Sequence, residues 1–370
     1  MNLSYWEYKT WLSHLDFTIV GSGIVGLTTA IHLKKRFPKA KILILEKGIL
    51  PQGASTKNAG FACFGSVSEL LSDLKRHSEV EVLELVKKRY HGIEGLRELL
   101  GDEQLGYKRY GGHEVFRETD LEKYEHCWEN MPMLNALLMP VFGRNAFSLR
   151  ANTFGFEEVN TTYISNLHEA QIDTGKMMLG LLRLAQQQGV QVLNSVLVED
   201  FAEGQDQVLL KTNQFELKTK KLLITTNGFA KQLLEQDCVP ARAQVVLTQP
   251  IPNLHIKGTF HLDEGYYYFR NIDDRILLGG GRNLDLKTEE TMEFGATPLV
   301  QDALEQLLKE VILPNTPHEI AMRWSGIMGV GPQKKPIIKQ LSPNIACGIR
   351  MGGMGIAIGN AVGEQLAALH

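Results

Sequence analysis

The chain has 370 residues, more than one compact core usually fills, so a minimal motif is excluded and two domains or one large interleaved pair is expected. With 44% hydrophobic residues, 22% charged residues and 35 glycines, it has the composition of a globular chain with many tight turns, neither disordered nor fibrous. Its 39 lysines and arginines against 42 aspartates and glutamates give a net charge of −3 without long single-sign blocks, which argues against a nucleic-acid partner.

Residues 17–20 form an apolar run ending at Gly21, the residues up to Arg36 are helix-compatible, and residues 41–45 form a second apolar run; strand, helix, strand is predicted. Neither run alternates with polar residues, as befits parallel strands covered on both faces and joined by a right-handed crossover. From Ser68 to Leu100 the pattern predicts core-facing amphipathic helix, with Leu70, Leu71, Leu74, Val82, Val86, Leu96 and Leu100 among the apolar positions. Residues 107–170 scatter Gly, Pro and Asn among aromatics and read as loops and short strands. A helix is predicted over 176–188, strands over 190–198, 208–210, 222–224, 245–248, 265–269 and 275–278, and a helix over 298–313. Cys63, Cys127, Cys238 and Cys347 lie far apart with no CxxC pair, which argues against a disulfide framework or structural zinc and for a reducing, cytoplasmic home. Ser22, Thr28, Thr29 and His32 interrupt the one stretch, 17–33, that imitates a membrane span, so no integral membrane segment is expected. The opening residues, with Glu7, Lys9 and Asp16, do not read as a signal peptide.

Gly21-Ser22-Gly23-Ile24-Val25-Gly26 falls between the first strand and its helix, and Glu46 closes the second strand 20 residues after Gly26. The first glycine permits the tight turn, the second lets a pyrophosphate approach the backbone, and the third lets helix and sheet pack closely, while the helix start offers free N–H groups to phosphate. Glu46 is suited to an adenosine ribose, and its charge repels the extra phosphate of NADP. Together these parts predict a dinucleotide site; they do not separate FAD from NAD.

Further along come Gly53-Ala54-Ser55-Thr56-Lys57-Asn58-Ala59-Gly60, Gln171-Ile172-Asp173-Thr174-Gly175-Lys176, Val198 and Thr225-Thr226-Asn227-Gly228. Trp324-Ser325-Gly326, Pro336 and Gly352-Gly353-Met354-Gly355-Ile356 complete the series. In this order the segments resemble the D-amino-acid oxidase family of FAD enzymes, which includes glycine oxidase, sarcosine oxidase and D-amino-acid dehydrogenase. The resemblance is strongest in the first 60 and last 50 residues and weak across 75–165. It implies an α/β fold: a Rossmann-type, doubly wound FAD-binding domain of residues 1–72, 160–236 and 321–370, interleaved with an α+β antiparallel-sheet substrate domain of residues 73–159 and 237–320.

The resemblance also implies which residues hold FAD. Besides Gly21, Gly23, Ile24, Val25, Gly26, Glu46 and Lys47, these are Ser55, Thr56, Asn58, Ala59 and Gly60, with Phe61 near the ring. Val198 would meet adenine through its backbone, Thr226 and Asn227 would return beneath the cofactor, and Gly326, Gly353, Met354, Gly355 and Ile356 would face the flavin. The cysteine that holds the ring in sarcosine oxidase aligns with Gly326, so non-covalent binding is expected. The implied activity is oxidation of the C–N bond of a small amine or amino acid by hydride transfer to flavin N5, giving an imine that hydrolyses, with oxygen or a quinone as electron acceptor. Such chemistry needs no nucleophile or metal, and no HExxH, GxSxG or clustered metal ligands occur. The alternatives are a tRNA-modifying FAD oxidoreductase of the methylaminomethyl-uridine type and a flavin-binding protein without amine oxidation activity.

For the substrate, Tyr267 stands at the position of the family's carboxylate-binding tyrosine. Where amino-acid oxidases place a carboxylate-gripping arginine, this chain has Met328. Either another cation replaces it, with Arg350 beside Met351 preferred over Arg323, Arg270 and Arg282, or the substrate lacks an alpha-carboxylate. The second option resembles the gamma-glutamylputrescine oxidase branch, toward which Tyr5-Trp6-Glu7 also points.

Overall fold

A computed structural model describes residues 2–370. The apolar runs become the parallel strands Leu15–Val20 and Ile42–Leu45, joined by the helix Ile24–Arg36. Both are buried on two faces. Phe17, Ile19, Ile42 and Ile44 pack into one apolar cluster with the covering helices, while Leu15, Val20, Leu43 and Leu45 pack into a second cluster on the opposite side. The parallel core of this eight-stranded sheet runs Ile345–Ile349, Glu216–Ile224, Leu15–Val20, Ile42–Leu45, Gln191–Leu193. All five strands point their carboxyl ends to one edge.

A second eight-stranded sheet, almost wholly antiparallel, runs Ile320–Val330, Val239–Thr248, Arg275–Gly280, Tyr267–Ile272, Thr259–Leu262, Gly112–Glu114, Thr162–Asn166, Phe147–Ala151. This is the expected doubly wound sheet interleaved with an antiparallel-sheet unit. Two boundaries differ. Strand Thr162–Asn166 pairs with Gly112–Glu114, and strand Ile320–Val330 pairs with Val239–Thr248, so the hydrogen bonds of both belong to the second sheet and not to the unit that 160–236 and 321–370 were expected to form.

The helical stretch ending at Leu100 splits into Val67–Leu74 and Glu79–Leu100, capped by Ser66 and Ser78 with Glu69 and Glu81 completing capping boxes. Residues read as loops contain a long helix, Leu121–Phe142, that buries Cys127, Leu134 and Leu138 despite Pro132 and Pro140 within it. The helix predicted over 298–313 is α-helical for Pro298–Leu307 and closes with the wider turn Leu308–Ile312. The four cysteines are buried and free. Among the described residues no helix is long and apolar enough to cross a membrane, and no group of His, Cys, Asp and Glu is arranged to hold a metal ion.

Candidate functional site

One cleft extends from the glycine loop to the inner face of the antiparallel sheet. Gly21 adopts φ of 100°, open to glycine and few others, and a Cβ on Gly26 would lie 1.9 Å from the Gly21 carbonyl oxygen. Gly23, Ile24 and Val25 line the cleft, with Gly26 packed behind them. The helix they open has no side-chain cap of its own; the segment after Gly53 folds across it, so that Ile24 N–H donates to Ser55 Oγ at 2.9 Å. Glu46 is buried and held in place: its carboxylate accepts from Ser22 N–H and Oγ–H at 3.0 Å each, from Gly48 N–H at 3.0 Å and from Gln52 N–H at 3.3 Å. Beside it Lys47 places its ammonium 3.4 Å from the centre of the Phe229 ring, and burial lowers its pKa.

The same cleft is lined by Val198, by Asn58, Ala59, Gly60 and Phe61, and by Gly326. A Cβ on Gly326 would come 2.8 Å from the Lys57 Cβ, which accounts for glycine there. Thr226 and Asn227 line it too; the Thr226 hydroxyl is buried without a partner, and Asn227 Oδ1 accepts from Met351 N–H at 3.1 Å, tying this loop to the last glycine segment. Gly352 and Gly353, at φ of 58° and 81°, turn the chain into the final helix Gly355–Ala368, whose start has no side-chain cap and opens on the cleft through Gly353, Met354, Gly355 and Ile356. A ribose-directed carboxylate at one end, a glycine cradle at the first helix start and an uncapped helix start at the other end fit FAD laid along the cleft. Of the expected cofactor residues besides Gly26, Thr56 alone turns away: its hydroxyl donates to the Pro51 carbonyl at 2.6 Å.

The substrate end is decided by strand register. Tyr267 pairs with Leu262 and Tyr268 with His261 across the antiparallel strands. Successive side chains alternate faces, so Tyr267 joins the apolar cluster on the far face with Phe260 and Phe269, and Tyr268 and His261 face the cleft. Tyr267, expected at the substrate, therefore does not line the cleft, and its neighbour Tyr268 does. Tyr268 has room because its neighbour is Gly279, where a Cβ would meet the ring at 2.6 Å; burial pushes the Tyr268 pKa up to about 12. Phe61 presents an edge to both, with ring centres 5.2 Å from His261 and 5.8 Å from Tyr268.

Met328 and Met351 line the cleft. Arg350 does not, contrary to expectation: at φ of 64° it directs its guanidinium to the Asp237 carbonyl at 2.9 Å and carboxylate at 3.2 Å and to the Lys335 carbonyl at 3.0 Å. Arg323 pairs with Glu305 at 2.8 Å outside the cleft. Arg270 is a buried staple between the two units, donating to the Gly60 and Ile172 carbonyls at 3.1 and 2.7 Å, and burial brings its pKa down to about 10. Arg282 is the candidate that lines the cleft; its guanidinium lies 5.7 Å from the Tyr266 ring centre and makes no ion pair among the described residues. Sequence reading missed Tyr268, His261, Glu69, Arg76 and Lys334, which share this end. Glu69 is held below the usual carboxylate range although burial raises it, because Lys334, His261 and Arg89 outweigh the desolvation.

A profile of the DAO family, FAD dependent oxidoreductase, matches residues 16–369. The probable oxidoreductase OrdL of Haemophilus influenzae is 20% identical over 375 aligned positions, spanning 97% of this chain and 83% of that protein. Iminodiacetate oxidase (IdaA) from Chelativorans sp. BNC1 superposes with a TM-score of 0.74 at 19% identity, covering 95% of this chain and 94% of that one. L-proline dehydrogenase from P. horikoshii superposes at 0.73 and 18% identity, covering 96% and 92%.

Proposed function

We propose that this chain, which belongs to the DAO family of FAD-dependent oxidoreductases, oxidises the C–N bond of a small amine or amino acid to an imine that water hydrolyses. Bound FAD supplies the hydride acceptor. The observation that carries the reading is the continuous cleft, with a glycine cradle at one end and the Tyr268–His261–Phe61 wall at the other. That wall brings ionisable and aromatic groups to the end of the cleft where a small substrate would be positioned against the cofactor. The names of the two structural neighbours, which act on proline and iminodiacetate, both secondary amines, add support.

Arg282 takes the role first expected of Arg350. Gly280 and Gly281, at φ of 125° and 75°, turn the chain just before it, and its five N–H donors have no carboxylate partner among the described residues. Arg282→Ala is expected to raise KM for carboxylate-bearing substrates about 10- to 150-fold, the worth of a charge-assisted contact of about 1.5–3 kcal/mol, and to leave a diamine unaffected; equal loss on both kinds of substrate rejects the assignment.

The defining experiment is anaerobic mixing of the FAD-loaded protein with glycine, proline, iminodiacetate and putrescine, and separately with tRNA. Bleaching by an amine supports the reading, bleaching by tRNA alone replaces it with RNA modification, and no bleaching leaves a flavin-binding protein without amine oxidation. Oxygen or a quinone completes turnover, separated by reoxidation in air against reoxidation by a soluble quinone. Acid precipitation is expected to leave the flavin in the supernatant: Gly326 has no side chain to bond it, and burial, then Glu169 and Glu69, raise the pKa of the cleft-lining Cys63 thiol, which disfavours its nucleophilic thiolate. The buried free thiols support a cytoplasmic location.

A further inference from the structure

An amine substrate arrives at neutral pH as an ammonium ion, which has no lone pair on nitrogen to assist departure of hydride from the adjacent carbon. Some group must take a proton first. Resting on the amine-oxidising reading, we propose that His261 Nδ1 accepts this proton from the substrate ammonium, with Glu169 as the positioning residue behind it.

The two ring nitrogens of His261 stand in different surroundings. Nε2 is sealed from solvent without a hydrogen-bond partner and lies 3.8 Å from Glu169 Oε2, an ion-pair separation. Nδ1 has no protein partner among the described residues either, yet it is not among the sealed atoms, and the residue lines the cleft while only 7% exposed. The Glu169 carboxylate favours a proton on the nearer nitrogen, so the neutral ring keeps its lone pair on Nδ1, the nitrogen that is not sealed. Glu169 is itself fixed: it is 2% exposed, and its other oxygen accepts from Phe64 N–H at 2.9 Å. Phe61 stands edge-on against the imidazole and Tyr268 beside it, which hold the ring in place. This is an acid–base pair oriented by a third group, as acid–base sites require.

The charged and titratable groups around the ring come from several elements. Helix Val67–Leu74 contributes Glu69, whose charge Lys334 opposes. Strand Gly112–Glu114 contributes Glu114 directly beside His261, and His113. Cys63 and Tyr268 complete the surroundings. Burial alone would make protonation of His261 harder, but Glu169, then Glu69 and Glu114, outweigh it and hold the pKa above its ordinary value. Such a base accepts an ammonium proton more readily than a free histidine. In the transfer an N–H bond of the ammonium breaks, an N–H bond forms at Nδ1, and the electron pair stays on the amine nitrogen; no oxidant is consumed until hydride leaves.

His261→Gln, loaded with FAD, is expected to keep the wild-type flavin absorbance and to slow anaerobic flavin reduction by the accepted member of the amine panel about 10²- to 10⁴-fold at pH 7. The discriminating readout is the pH profile. Wild-type reduction levels off above the His261 pKa, whereas the variant gains about tenfold per pH unit up to the ammonium pKa of the amine itself, as the solvent-deprotonated fraction grows. Glu169→Gln moves the wild-type ascending limb to lower pH. Independently of turnover, 13Cε1-histidine NMR shows a resonance with a raised titration midpoint that is absent in His261→Gln and shifted down in Glu169→Gln. A uniform loss at every pH, or an unchanged profile, overturns the assignment while leaving amine oxidation standing; wild-type protein reduced by no amine overturns both.

Discussion

Gly23→Val is expected to give folded but colourless protein. The glycine is not needed for its backbone angles, since φ of −70° and ψ of −178° suit any residue. It is needed for space. A Cβ there lies 2.9 Å from Ser55 Oγ, the oxygen that accepts from Ile24 N–H, so a valine both displaces Ser55 and occupies the approach to the helix start. A diphosphate kept from those N–H groups forfeits two charge-assisted hydrogen bonds at about 1.5–3 kcal/mol each, roughly 10²- to 10⁴-fold in FAD affinity. The 450 nm to 280 nm absorbance ratio of purified protein and an FAD titration measure this, with far-ultraviolet circular dichroism as the check on folding. Wild-type yellow colour in the variant would place the diphosphate elsewhere.

The parts of the site that sequence made visible are those whose demands are local. Gly21 and Gly26 answer to a turn and a helix–strand contact within six residues, and Glu46 is reached by one crossover; each is decided by neighbours in the chain. The substrate end is different. Whether Tyr267 or Tyr268 faces the cleft depends on the phase of an alternating strand, and three tyrosines in a row carry no phase of their own. The phase comes from across the sheet, where Phe260 stacks on Phe269 at 4.6 Å on the apolar face and so commits His261 and Tyr268 to the other. Had the pair Phe260 and Phe269 been recognised as facing partners, the shift would have been legible.

Arg350 illustrates the second limit. It stands next to Met351 and the glycines that line the cleft, but with the backbone at φ of 64° its side chain leaves on the side of Asp237, 113 residues away in sequence. The polar cluster of Glu69, Glu169 and His261 comes from a helix, a turn and a strand with no shared motif, so only the fold assembles it. Helix Leu121–Phe142 was hidden for a simpler reason. Pro132 and Pro140 each remove a backbone donor and read as breaks, yet burial of Leu134 and Leu138 on one face stabilises the helix through them.

Gly92→Val tests how the active end is held. Helix Glu79–Leu100 crosses the last helix so closely that a Cβ on Gly92 would stand 2.0 Å from the Ala357 carbonyl oxygen and 3.3 Å from the Ile358 Cα. Backbone atoms cannot swing aside as a side chain can. On the other flank a Cβ on Gly363 would come 2.1 Å from Thr28 Oγ1 and 2.8 Å from Thr29 N, so the last helix is clasped between two neighbours and has nowhere to move. Valine at 92 therefore forces the helices apart, at about 3 kcal/mol or more, and is expected to lower Tm by at least about 4 °C in a chain of this length. Gly53→Ala, where a Cβ meets nothing within 4 Å, is the matched control and should change Tm by little. Because Gly353 to Ile356 lead directly into the displaced helix, the variant should also bind FAD more weakly, and added FAD should recover less of its stability than it contributes to wild type. A Gly92→Val protein with wild-type Tm would mean that the two helices do not meet backbone to backbone; one with lowered Tm but wild-type FAD affinity would detach the last helix from cofactor binding.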